Sequence, residues 1–182
     1  MAITDNQKRR EFVTRCWVKA MKNVLTAIEG YWGMTFFMEE VPEKEKTAFK
    51  MKLLNNIEMF VASYDRLKPV VLAIVDEYRQ YDMPEKEIVK GIWSYELKNA
   101  VNSLRDLCKF IKRKDYVQLD EQTLRAWQKY KDWEQKLYEK RRAYHEIIHS
   151  YIPEQEVNAI DESASLTFGH KFSSADPTAN RV

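Results

Sequence analysis

Apolar residues recur at helical spacing through most of this 182-residue chain, and no segment alternates apolar with polar positions as a half-buried strand requires. Phe12, Cys16, Ala20, Val24 and Ile28 recur every fourth residue, with Val13, Trp17, Met21 and Leu25 beside them. That stripe predicts a first helix from an N-cap at Thr4 or Asp5 to Glu29, buried along one whole side, with Gly30 placed to end it. Pro42 and Pro84 each open the tetrapeptide Pro-Glu-Lys-Glu. A proline suits the first helical turn and the acids complement the helix dipole, so both mark expected helix starts. The residues that follow do not align, and the shared tetrapeptide reads as helix-start chemistry rather than a repeat.

After Pro42 the expected buried set is Phe49, Leu53, Ile57, Phe60, Val61 and Tyr64; Pro69 then predicts a new short helix through Val71, Ile74, Val75 and Tyr78. After Pro84, Ile88, Val89, Ile92, Trp93, Leu97, Val101, Leu104, Cys108 and Ile111 outline a long amphipathic helix. It carries Gly91 inside it, at a cost of about 1 kcal/mol against alanine, and close helix packing is the expected reason. Asp120 is placed to cap a last long helix to Pro153, with Leu124, Trp127, Tyr130, Leu137, Tyr144, Ile148 and Tyr151 near a 3.5-residue repeat. Glu134 and Arg141 interrupt that seam, so its centre is expected to be less buried than its ends. From Glu154 onward the helical pattern stops. The fold predicted is all-α: a bundle of about five helices over residues 1–153, followed by a largely non-helical docking tail over residues 154–182.

Composition narrows this further. Gly 4 and Pro 5 are too few for turn-rich sandwiches or barrels, for which average usage would give roughly 20 such residues in this length. With 45% hydrophobic residues, Trp 5, Tyr 10 and Phe 8, the chain is too apolar to be a disordered one. Cys16 and Cys108 both fall on apolar helix sides, which predicts buried free thiols and an intracellular setting, cytoplasmic or within a virion. The first fifteen residues lack an apolar core, so no secretory signal is expected. The longest aliphatic run, Val70 to Val75, is too short to span a bilayer, and no membrane partner is expected. The formal charge of +2 divides unevenly: residues 154–182 carry a net −3, leaving +5 over residues 1–153.

The sharpest motif is His145-Glu146-Ile147-Ile148-His149. It resembles the His-Glu-x-x-His signature of zincin metallopeptidases, which implies zinc as cofactor, His145 and His149 as ligands and Glu146 as general base. The Gly-x-x-His extension is absent, and a third ligand would have to come from Glu154, Glu156, Asp161, Glu162 or His170. Arg142 and His149 also resemble the Arg-x4-6-His element of HEPN ribonucleases, with Ala143 departing from the polar residue usual after the arginine. On a helical wheel Arg125, Lys129, Lys136 and Lys140 share one face with Trp133 at its edge, a pattern that can follow a phosphate backbone. Lys8, Arg9 and Arg10 form a second basic cluster. The pairs Glu121–Arg125 and Asp132–Lys136 also suit an ordinary salt-bridged helix face.

Tyr31, Trp32, Phe36 and Phe37 form a dense patch with two readings, a cover for the open end of the bundle or a surface for self-association. Phe168 and Phe172 give the tail apolar anchors. No glycine loop for phosphate, serine elbow or Cys-x-x-Cys pair is present. The leading expectation is a non-catalytic structural subunit without a cofactor, self-associating through the aromatic patch and tail, as in a virion or other nucleoprotein, with its basic faces on nucleic acid. The alternative is a zinc-dependent hydrolase built on residues 145–149, with a HEPN-like ribonuclease behind it.

Overall fold

The computed structural model describes residues 6–16, 43–115 and 120–157, and all regular elements among them are helical. They are α1 (Asn6–Arg15), α2 (Glu43–Glu77), α3 (Pro84–Gly91), a π-helical segment (Ile92–Glu96), α4 (Leu97–Lys112) and α5 (Glu121–His149). The all-α bundle is therefore as expected. Helix α3, the π segment and α4 run on as one central rod. Helix α2 packs along one side of that rod, α5 lies along the other, and α1 rests against α3.

The second helix is longer than its sequence suggests, because Pro69 lies inside α2 and starts nothing. Leu53, Ile57, Phe60, Tyr64, Leu67, Val71, Val75 and Tyr78 are all buried, at steps of three or four residues that keep phase across the proline. An interior proline costs about 3 kcal/mol, whereas each large apolar side chain buried beyond it contributes about 1.5–3 kcal/mol. Pro69 and Asp65, the residue whose carbonyl it deprives of a partner, are both exposed. The stripe wins.

The π segment has an equally simple origin. Glu85, Val89, Trp93, Leu97 and Val101 are all buried and four residues apart, so each step overshoots the α-helical turn by about 0.4 residue. One wider turn absorbs the drift and keeps Trp93 and Leu97 on the same face. Trp93 is fully buried and stacks on Tyr64 with ring centroids 5.7 Å apart. Two carbonyls of the wide turn accept side-chain donors: the Tyr64 hydroxyl donates to Trp93 O (3.0 Å) and the Asn99 amide to Tyr95 O (2.8 Å). Burial pushes the Tyr64 phenol up to about 12, so it stays a donor. Gly91 ends α3 at this junction. A Cβ there would meet only Glu96 Oε2, at 4.0 Å, so tight packing against a neighbouring helix is not what places the glycine.

The second Pro-Glu-Lys-Glu does more than start a helix. Pro84 opens α3 after the extended Met83, but Glu85 and Lys86 both turn inward. Glu85, with no exposed surface, accepts from Arg9 of α1 through Nε (2.9 Å) and Nη2. Lys86 donates to Tyr81 O (2.5 Å), Arg79 O (3.3 Å) and Tyr78 O (3.5 Å), carbonyls of the turn that follows α2.

At the other end of the bundle Asp120 caps α5 as expected. It accepts from Thr123 N (2.9 Å) and pairs with Lys114, and these contacts hold its carboxyl well below the usual range. Helix α5 stops at His149 rather than Pro153, since the residue before a proline avoids the helical region and Ser150 already closes the last turn by donating to Ile147 O (2.6 Å). A further helical turn at 154–157 packs back on the bundle: Ile152 and Val157 are buried, and Glu156 pairs with Arg10 at 3.6 Å. The centre of α5 is not less buried than its ends. Glu134 is only 7% exposed, because the helix follows the rod along its whole length and carries that carboxylate into the contact.

Arg9→Met leaves Glu85 buried without its countercharge, and the expected loss of stability is about 3 kcal/mol, read as a lower urea midpoint. Replacing Glu85 with methionine as well is expected to recover most of that loss. An unchanged midpoint for Arg9→Met would disprove the role given to the pair.

Candidate functional site

Most of the residues singled out from sequence lie on α5, which presents three different stretches of side chain. Its buried stripe is Thr123, Ala126, Tyr130, Glu134, Leu137, Tyr144 and Ile148. Trp127 is half-buried, and Leu124, expected in the seam, is 45% exposed. The His-Glu-x-x-His residues flank that stripe near the C-terminal end. His145 is half-buried, His149 is exposed, and their rings stack with centroids 5.7 Å apart. Glu146 is exposed and turns to Arg142, with 3.8 Å between Oε1 and Nε. No group of three or more His, Cys, Asp or Glu side chains is gathered for a metal among the described residues. Glu156 faces Arg10, while Asp161, Glu162 and His170 lie outside the described residues. A groove of about 410 Å³ passes over Tyr138, Arg141, Arg142 and His145 on this flank. The Arg142 and His149 of the ribonuclease-like spacing are both exposed, two turns apart.

The basic face is the second stretch. Arg125 is exposed and pairs with Glu121 at 2.5 Å, and Asp132 accepts from the Gln128 amide (3.0 Å) rather than pairing with Lys136. Lys136 instead places its ammonium over the Trp133 ring, 4.2 Å from the centroid. Lys140 reaches to 4.0 Å from Oε1 of Glu96, a carboxylate that is only 6% exposed in the π segment. Lys129 is exposed, and among the described residues neither it nor Lys136 has a carboxylate within ion-pair distance. Across the contact with the rod, Tyr95 packs edge-on to Trp133, centroids 5.2 Å apart and planes at 89°.

The second basic cluster has a different placement. Lys8 pairs with Glu11 at 2.8 Å, Arg9 is engaged by buried Glu85 and lies 4.2 Å over the Tyr151 ring, and Arg10 donates to Tyr151 O (3.1 Å). Arg9 and Arg10 thus hold α1 against the C-terminal end of α5. About 30 Å of helix separates the end of α5 at His149 from Lys129, and about 14 Å separates it from Lys140. Of the interface candidates, Tyr31, Trp32, Phe36, Phe37, Phe168 and Phe172 lie outside the described residues.

Sequence reasoning missed Tyr95. Its signal was available: a large aromatic residue on the polar side of an otherwise regular apolar stripe. It also missed Glu85 and Lys86 as buried ions, and the signal there was an acid four residues before Val89, in phase with the stripe.

A second groove, about 400 Å³, opens between α2 and α4. Its charges pair across the opening, Arg105 with Asp65 (2.7 and 2.8 Å) and Lys112 with Glu58, over a floor of Val61, Ala62 and Cys108. Burial pushes the Cys108 thiol up to about 11 and the Cys16 thiol to about 12, the latter against the opposing influence of Arg15. Both cysteines are free and buried, and at neutral pH both are thiols rather than nucleophilic thiolates. Alkylation by iodoacetamide, followed by mass spectrometry, is expected to be slow at neutral pH, to rise only toward pH 11 and to become fast in denaturant. A rate that levels off near the pKa of an ordinary thiol would contradict this. Compared with known proteins, the chain matches no family model, no curated protein and no solved structure.

Proposed function

We propose that this protein is a non-catalytic structural subunit of a nucleoprotein assembly, which associates with copies of itself and holds nucleic-acid backbone along the basic face of α5. The observation that carries the reading is the state of Lys129, Lys136 and Lys140. They follow one another along one exposed face, and two of them have no carboxylate partner among the described residues. Such charges release counterions when they meet phosphates, which favours binding at modest salt. The other candidate chemistry supports a catalytic reading less well: Glu146 is turned to Arg142, and both thiols are buried. Self-association rests on the aromatic residues of the sequence, Tyr31, Trp32, Phe36 and Phe37 and the tail phenylalanines Phe168 and Phe172. No helix among the described residues is long and apolar enough to cross a membrane.

Affinity for a nucleic acid is expected to fall steeply with salt. Neutralising Lys129, Lys136 and Lys140 together is expected to reduce the slope of log K against log salt by about three, as measured by filter binding or anisotropy. Flat salt dependence would remove the reading. For assembly, a truncation after Val157 spares that buried residue. Removing residues 158–182 is expected to lower the particle mass seen by light scattering, and an unchanged mass would count against docking through the tail.

A further inference from the structure

We infer that the surface around Tyr95 binds single-stranded nucleic acid, with an unpaired base stacked on the Tyr95 ring and the strand's phosphates on the lysines beside it. The inference rests on the polyanion-binding reading above and specifies its ligand. Tyr95 is 56% exposed, an unusual position for a tyrosine on a rod whose other large apolar residues are buried or half-buried. Trp93 and Glu96 face the interior of the π segment, while Tyr95 between them lies on the outer side, over the contact with α5.

Tyr95 is held there rather than loose. Trp133 meets it edge to face at 89°, an arrangement that fixes the tyrosine ring without stacking over it. The Trp133 ring in turn has the Lys136 ammonium 4.2 Å from its centroid. Trp133 is thus a support between a tyrosine and a lysine, and Tyr95 is the ring available to a ligand. Pre-positioning of both groups reduces the ordering cost of binding.

Charge surrounds the ring on both helices. Lys98 is exposed one turn beyond Tyr95, and Lys129, Lys136 and Lys140 lie on the Trp133 side of α5. Of the acids on that side of α5, Glu121 pairs with Arg125 and Asp132 accepts from the Gln128 amide, while Glu139 is exposed. An aromatic ring among lysines favours a strand over a duplex, because only an unpaired base offers a free face, whereas both forms offer phosphates.

The test is fluorescence anisotropy with a dye-labelled oligothymidylate and a hairpin duplex of equal phosphate number, each titrated at several salt concentrations. The wild-type protein is expected to prefer the strand by about tenfold, the effect of one stacked base. Tyr95→Ala is expected to lose that preference with its salt slope unchanged, and Tyr95→Phe to retain it. Tyr95→Leu keeps an apolar contact with Trp133 but offers no aromatic face, and it is expected to behave as the alanine variant does. If the alanine and leucine variants bind the strand as well as wild type does, the stacking inference fails while salt-dependent binding to both probes leaves the polyanion reading standing. If wild type binds neither probe at low salt, both fail.

Discussion

Two ions buried at the head of α3 set the arrangement of the bundle. Glu85 has no exposed surface and Lys86 almost none, and taking either out of water costs several kcal/mol unless it finds partners. The partners come from different parts of the chain. Arg9 of α1 meets Glu85, and carbonyls of the turn that follows α2 accept from Lys86. A rotation of α3, or a different exit from α2, would leave a charge buried without compensation. Apolar packing brings the helices together, but these contacts select one way of joining them.

A second constraint lies in the spacing of the rod's buried residues. Four-residue steps from Glu85 to Val101 do not suit a straight α-helix, and the π turn resolves the mismatch. The same turn buries Trp93 against Tyr64, gives the Tyr64 hydroxyl a carbonyl to bond and sets Glu96 near Lys140.

The helices, the start at Pro84, the cap at Asp120 and most of the core were legible in the sequence, because each depends on residues within a few positions of one another. Pro69 misleads for the same reason. Its local cost is real, yet the in-phase burial on both sides of it outweighs that cost. Glu134 misleads in the opposite direction, since a carboxylate within an apolar seam reads as exposed until the neighbouring rod is seen to cover it. In the candidate site the lysine face was legible from a wheel. Arg9 and Arg10 were not separable from surface cations, because their partners Glu85 and Tyr151 lie 76 and 141 residues away.

Periodicity alone determined that this protein is built of amphipathic helices, and which side of each is apolar, because hydrophobic burial is repeated along an element and leaves a period. Which charges pair with one another, and which rings meet across two helices, were decided only when the helices met. An ion pair or a ring contact is a single event between distant positions. It has no period, and so it leaves no pattern to read.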